Sequence, residues 1–255
     1  MKNNSDQTSF LIPDWPAPDT VNAVITLRGS GVSKAPFNSF NLADHVGDDP
    51  TAVSANRLQL KDLLGLRSQL IWLNQIHGTE VVYGPEAHNQ PDADASYTDI
   101  ADQACVVLTA DCLPVLFCNQ QGTQVAAAHA GWRGLCAGIL RKTMACFSPE
   151  DTVLAYLGPA IGPQVFEVGE EVLEAFISGA QDTHHRTLIR SAFEASGDDH
   201  YLADLYALAR AELRLCGVEH IYGGQNCTFS QSDHFYSYRR DQITGRNASL
   251  IWLKA

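Results

Sequence analysis

Cys105-Val106-Val107-Leu108-Thr109-Ala110-Asp111-Cys112-Leu113-Pro114-Val115-Leu116-Phe117-Cys118-Asn119-Gln120-Gln121-Gly122-Thr123-Gln124-Val125-Ala126-Ala127-Ala128-His129-Ala130-Gly131-Trp132-Arg133-Gly134 is the stretch that decides the fold class. Two short apolar runs, Cys105 to Leu108 and Pro114 to Cys118, are long enough for buried strands and too short for helices. They are separated by a break at Thr109-Ala110-Asp111-Cys112. Asn119-Gln120-Gln121-Gly122 reads as a turn, and Thr123 to Ala128 as a third strand. His129-Ala130-Gly131-Trp132-Arg133-Gly134 then opens a helix expected to reach about Cys146.

Outward from this centre the same alternation continues. Val21 to Leu27, Gln69 to Leu73, Glu80 to Tyr83, Val153 to Leu157, Val218 to Tyr222 and Ser249 to Leu253 read as strands. Asp48-Asp49-Pro50 starts a helix, because Asp caps and Pro at the first helical position gives up no needed N–H. That helix should run to Leu64 and stop at Gly65. A short helix is expected over Glu170–Ser178. Leu202, Leu205, Ala209 and Leu213 recur at helical spacing, so 201–215 reads as an amphipathic helix, and 180–200 as a polar loop. Strands and helices alternate without strict βαβ regularity, which predicts an α/β fold with a mixed sheet in one domain. Residues 1–20 hold three prolines and read as an extended lead-in, with the domain covering 21–255.

The chain has 255 residues, 45% of them apolar and 18% charged, which suits one domain with a full core and excludes general disorder. Lys plus Arg is 17 against 29 Asp plus Glu, a net charge of −12. That balance argues against a nucleic-acid surface but allows a local arginine pocket for a small anion. No apolar run approaches the length of a spanning helix, and the N-terminal residues are too polar for a secretion signal. The expected setting is cytoplasmic, with no membrane partner. Seven cysteines without framework spacing are then expected as free thiols or metal ligands.

Three side chains stand out. His77, Cys112 and His129 fall at or near predicted strand ends, where open α/β sheets place their ligands. Two imidazoles and a thiolate are donors that Zn2+ accepts, and a fourth position left open would make such a site catalytic. The spacings of 35 and 17 residues form no local metal motif, and a buried cysteine beside half-buried histidines is commonly plain core. Cys112 also fits a nucleophile served by His77 or His129, with Asp111 or another acid orienting the base. Gly29-Ser30-Gly31 and Gly158…Gly162-Pro163 fit no dinucleotide or P-loop pattern and read as turns. Arg28, Arg57, Arg133, Arg239, Arg240 and Arg246 are the candidate anion contacts. Tyr236-Ser237-Tyr238-Arg239-Arg240-Asp241 fits either a ring-stacking platform or a strand with alternating faces, and His45 is the remaining histidine of interest.

Asn74-Gln75-Ile76-His77-Gly78, Thr109-Ala110-Asp111-Cys112-Leu113-Pro114, Ala128-His129-Ala130-Gly131-Trp132-Arg133-Gly134 and Phe235-Tyr236-Ser237-Tyr238-Arg239-Arg240-Asp241 together carry a family resemblance. So do Ser39-Phe40-Asn41-Leu42, His45-Val46-Gly47-Asp48 and Asn56-Arg57. From about residue 22 onward the chain resembles the multicopper-laccase-domain family. Its members are also called YfiH-like or polyphenol-oxidase-like proteins and purine nucleoside phosphorylases. The resemblance implies a single α/β domain of packed mixed sheets flanked by helices in four layers. It implies Zn2+ held by His77, Cys112 and His129. It also implies phosphorolysis of adenosine, inosine, guanosine and methylthioadenosine, with adenosine deamination as a second activity. By match to the family's Asn-Arg motif Arg57 would contact phosphate, and Asn41, Arg133 and Arg28 are expected with it on the substrate side. Asp111, next to a ligand, would support the metal or shuttle a proton. Many relatives carry a Cys pair after Ile-Gly-Pro, whereas here Gln164-Val165 follow Ile161-Gly162-Pro163, so no ligand is expected there.

A blue-copper plus trinuclear centre needs many closely paired imidazoles, and this chain's only near pair is His184-His185. Cu2+ could still enter one His2Cys site, since copper outranks zinc in intrinsic affinity. The expected partners are thus a purine nucleoside and phosphate, with the protein acting as a monomer. Two other classes stand beside this one. A Cys–His hydrolase editing cell-wall precursors would need no phosphate. A structural metal protein would show a fourth protein ligand such as His45.

Overall fold

A computed structural model describes residues 10–66 and 69–255. Residues 1–9 of the expected lead-in lie outside them. The strands are β1 (Phe10–Leu11), β2 (Val21–Thr26), β3 (Leu70–Ile71), β4 (Val81–Tyr83), β5 (Ala95–Thr98), β6 (Ala104–Thr109), β7 (Leu113–Asn119), β8 (Val125–Ala130), β9 (Val153–Leu157), β10 (Glu167–Gly169), β11 (Phe193–Gly197), β12 (His200–Ala203), β13 (His220–Gly223) and β14 (Asn247–Leu253). The helices are α1 (Pro50–Leu64), α2 (Trp132–Ala137), α3 (Ile139–Met144), α4 (Glu170–Ser178), α5 (Thr183–Ser191), α6 (Leu205–Leu215) and α7 (Tyr238–Asp241).

Two mixed sheets form the centre, in the orders β1-β2-β14-β6-β3 and β13-β9-β7-β8-β5-β4. Successive side chains of a strand point to opposite faces. Cys105 and Val107 of β6 therefore pack with Leu116 and Cys118 of β7 in a core between the sheets. Val106 and Leu108 face Phe40, Leu42 and Leu60, the last from α1, on the outer side. Val115 and Phe117 of β7 meet Leu135, Ile139, Phe176 and Leu208 of the helices on the far side. The result is four layers: α1, sheet, sheet, helices. Burial on both faces explains why β6, β7 and β8 read as unbroken apolar runs. The α/β class, the mixed sheets and the layering expected from the sequence are all present.

Local signals explain the best-matched elements. The Asp49 side chain accepts the Thr51 N–H at 2.8 Å, Pro50 follows, and Gly65 closes α1 at φ 64°. Elsewhere the structure differs from the sequence reading. The strand expected to end at Ala128 runs to Ala130, so His129 lies within β8. The helix expected to reach Cys146 breaks into α2 and α3 at Gly138, whose φ of 97° no helix accommodates. The expected polar loop at 180–200 contains α5 and β11, since Asp182 caps α5 on the His185 N–H at 2.7 Å. His185 and Ile189 are the buried residues of α5, and its otherwise polar composition is what reads as a loop. The helix expected over 201–215 starts at Leu205, because 200–203 pair as β12 and Asp204 caps α6. Tyr238–Asp241 is a short helix capped by Ser237, not a strand. β1, from the lead-in, pairs antiparallel with β2, and β5 and β10 had no sequence signal.

Candidate metal centre and substrate cavity

Three chain segments meet at one end of the two sheets. His77 sits in the turn between β3 and β4 at φ 59°, Cys112 in the β6–β7 connection, and His129 near the end of β8. Pairing of β7 with β8 sets Pro114 opposite His129 and so brings Cys112 close to it. One donor atom from each of His77, Cys112 and His129 lies within 4.8 Å of the others. The two imidazoles meet edge to face with ring centroids 4.8 Å apart. A Cβ added at Gly131 would fall 2.8 Å from His77 Nδ1 and 3.0 Å from Cys112 Sγ, so only glycine lets the chain pass this close to the donors. Among the described residues two nitrogens and a sulfur converge without a fourth side-chain donor, a set that fits a metal ion with an open position. His45 is not part of the group.

Asp94, a residue without a sequence signal, backs the site. Its carboxylate is fully buried and lies 2.7 Å from His129 Nδ1. It also accepts the backbone N–H groups of His77 at 3.0 Å, Gly78 at 2.6 Å and Ile76 at 3.3 Å. Burial works against its charge, but His129 and these N–H groups outweigh it and hold the carboxyl below its usual range. Burial likewise disfavours the His129 imidazolium, yet the Cys112 sulfur and Asp94 push that group up to about 9. His77 shifts down, through burial first and then the neighbouring His129.

Asp111 lies beside Cys112 at φ 88°. Its two oxygens accept the Thr228 hydroxyl and the Arg239 N–H, each at 2.6 Å. Its carboxylate therefore braces the Cys112 turn against the α7 segment.

The donors face a cavity of about 400 Å³ whose wall also carries Arg133, Arg239, Arg246, Tyr238 and Phe166. Arg246 donates to the carbonyls of Thr244 and Gly245, and burial lowers its pKa. Arg239 lies over Phe166 and Arg133 over Trp132. Among the described residues no carboxylate pairs with these three guanidinium groups. His45 joins them at the rim.

The other expected substrate contacts lie elsewhere. Arg57 stacks on Trp72 with 4.1 Å to the ring centre, donates to the Leu42 carbonyl and pairs with Asp44 at 3.3 Å, off the cavity wall. Asn41 is buried and ties the Ala43 backbone, Asp48 and the Arg246 N–H together. Arg28 donates to the carbonyls of Ser232 and Asn38 and borders a separate groove. Arg240 pairs with Asp241 and holds loop carbonyls. The sequence named the three donors, but carried nothing that separates Arg133, Arg239 and Arg246 from the structural arginines.

Known proteins resemble this chain over nearly its full length. Residues 22–254 match the family described as multi-copper polyphenol oxidoreductase laccase. Purine nucleoside phosphorylase YfiH of Escherichia coli strain K12 is 50% identical over 248 residues, covering 96% of this chain and 99% of that protein. A purine nucleoside phosphorylase of Haemophilus influenzae is 46% identical over 244 residues, covering 95% of this chain and 98% of that protein. The crystal structure of Neisseria meningitidis NMB0706 superposes with a TM-score of 0.90 at 51% identity, covering 97% of this chain and all of that one. YlmD from Geobacillus stearothermophilus superposes at 0.89 with 30% identity, covering 98% of each chain. With a family model matched over residues 22–254, a shared fold and relatives about half identical over nearly their full length, the chain belongs to the laccase-like, YfiH-type family whose relatives bear the name purine nucleoside phosphorylase.

Proposed function

We propose that the protein is a zinc-dependent purine nucleoside phosphorylase acting on adenosine, inosine, guanosine and methylthioadenosine, with adenosine deamination as a second activity. One observation carries the reading. Three metal-type donors and three arginines free of ion pairs share a single cavity in a chain of net charge −12. A nucleoside and an inorganic phosphate ask for such a mixture.

In phosphorolysis a phosphate oxygen bonds to ribose C1′ while the C1′–N9 bond breaks. The purine leaves with that electron pair and takes up a proton, and ribose 1-phosphate remains. Arg133, Arg239 and Arg246 bind and orient the phosphate, because a guanidinium fork meets two phosphate oxygens at once. Tyr238 and Phe166 offer aromatic faces for the purine ring. Holding phosphate and nucleoside together in one cavity replaces a bimolecular encounter by a positioned one. His77, Cys112 and His129 would hold the metal, which supplies a Lewis-acid charge to a substrate oxygen at that end. Deamination exchanges the adenosine C6 amine for a water oxygen and releases ammonia in the same cavity.

The donor count favours this over laccase chemistry. The described residues offer one His2Cys group, where a multicopper oxidase needs several centres. Copper entry would give oxidase behaviour only as a side reaction. The deciding assay follows inosine with metal-loaded protein, with and without phosphate. Hypoxanthine and ribose 1-phosphate should form only when phosphate is present. Base released without phosphate would mean a hydrolase, and no base at all would end the proposal.

A further inference from the structure

We propose that Asp94 is the positioning residue of the metal site: its carboxylate fixes His129 as the Nδ1–H tautomer, leaving Nε2 as the metal donor, and clamps the left-handed His77 turn to the same anchor. The assignment rests on the metal reading given above.

The argument begins with hydrogen-bond supply. An ionised carboxylate only accepts. Asp94 Oδ1 stands 2.7 Å from His129 Nδ1, so that nitrogen must carry the proton and donate it. A neutral imidazole protonated at Nδ1 keeps its lone pair at Nε2. The His129 backbone N–H also donates to the Asp94 carbonyl at 2.7 Å, which fixes the two residues side by side while the carboxylate holds the ring. Side chain and backbone of one residue thus hold both ends of the other.

The same carboxylate holds the second histidine by a different route. His77 adopts φ 59°, a region a side-chain-bearing residue enters at a cost. Such a conformation persists where the surroundings over-determine it. Three consecutive N–H groups, from Ile76, His77 and Gly78, converge on the Asp94 oxygens at 2.6 to 3.3 Å. Asp94 is fully buried, so its carboxylate draws its hydrogen bonds from these N–H groups and His129. Two ligands that lie 52 positions apart in the chain become one rigid unit through a residue that touches no substrate. Cys112 has a separate brace, Asp111.

The test uses the intact wild-type protein loaded with 113Cd2+ and carrying 15N-labelled histidine. Cadmium–nitrogen coupling should appear at His129 Nε2, with a retained proton at Nδ1. Coupling at Nδ1 overturns the assignment. Asp94→Asn keeps the shape but presents an amide to N–H donors. It should bind Zn2+ about 10- to 100-fold more weakly in chelator competition. Its Co2+ form should show a changed d–d absorption spectrum, a signature of coordination geometry that a merely structural role would leave alone. Wild-type affinity and spectrum in Asp94→Asn overturn the assignment. If that variant does not fold, the wild-type coupling pattern decides alone. Wild type that takes up neither Zn2+ nor Cd2+ overturns the metal reading and this assignment together. Metal bound through Nε2 by a protein that releases no base overturns the phosphorolysis reading while supporting this one.

Discussion

The two ends of the cavity are built on opposite principles. At the donor end, a buried carboxylate holds one histidine ring and the backbone of the other, and a glycine clears the last space. At the rim, Arg133, Arg239 and Arg246 rest on aromatic rings or loop carbonyls, and among the described residues none of them forms an ion pair. One end is a closed hydrogen-bond system set up for a cation. The other sets three guanidinium groups on one cavity wall without an ion-pair partner among the described residues. An acidic protein can therefore serve an anionic substrate, because the local pairing of a few groups outweighs net charge at short range.

Cys112→Ala attacks the donor end and should have the largest effect. Metal should fall from about one per chain to a trace by elemental analysis, and phosphate-dependent base release by about 10³-fold. Unchanged metal content in that variant would make Cys112 a nucleophile and dissolve the contrast. Arg246→Ala attacks the rim. Base release should drop by about 10²-fold, as for loss of one charged transition-state contact, with metal content intact. A variant that loses metal as well would show the two ends to be one unit. Gly131→Ala pushes a methyl group toward two donors. Crowding of this kind costs about 1–3 kcal/mol, so metal affinity should weaken about tenfold or more in chelator competition. Arg57→Ala sharpens the boundary of the rim. With its guanidinium on Trp72 rather than in the cavity, the loss should be about 1 kcal/mol of stability by chemical denaturation. Its KM for phosphate should change by less than about twofold, whereas a true phosphate contact would lose much more.

Legibility in the sequence followed the range of the forces involved. α1 could be placed at both ends because Asp49, Pro50 and Gly65 act within a few residues of the turns they cap. α4 and β9 were equally plain, one from its amphipathic run and the other from its apolar one. α5 escaped because most of its residues are polar and only His185 and Ile189 are buried. Within the site, the donor residues could be named from type and from motifs the family shares. Asp94 could not, since the partner it serves lies 35 positions away. Nor could Arg57, whose motif suggested phosphate while its side chain turned to Trp72 and Asp44.

The amino-acid sequence by itself determined the local elements, the α/β class, the acidic balance and the kinds of chemical group on offer. Helix caps, alternating burial and side-chain chemistry are short-range properties, complete within a window of residues. Only the tertiary structure decided that His77, Cys112 and His129 converge, that Asp94 stands behind two of them, and that Arg133, Arg239 and Arg246 line the same cavity. Those facts depend on strand register and on how two sheets pack, and a shift of one residue in the register of β8 would turn His129 away to the opposite face.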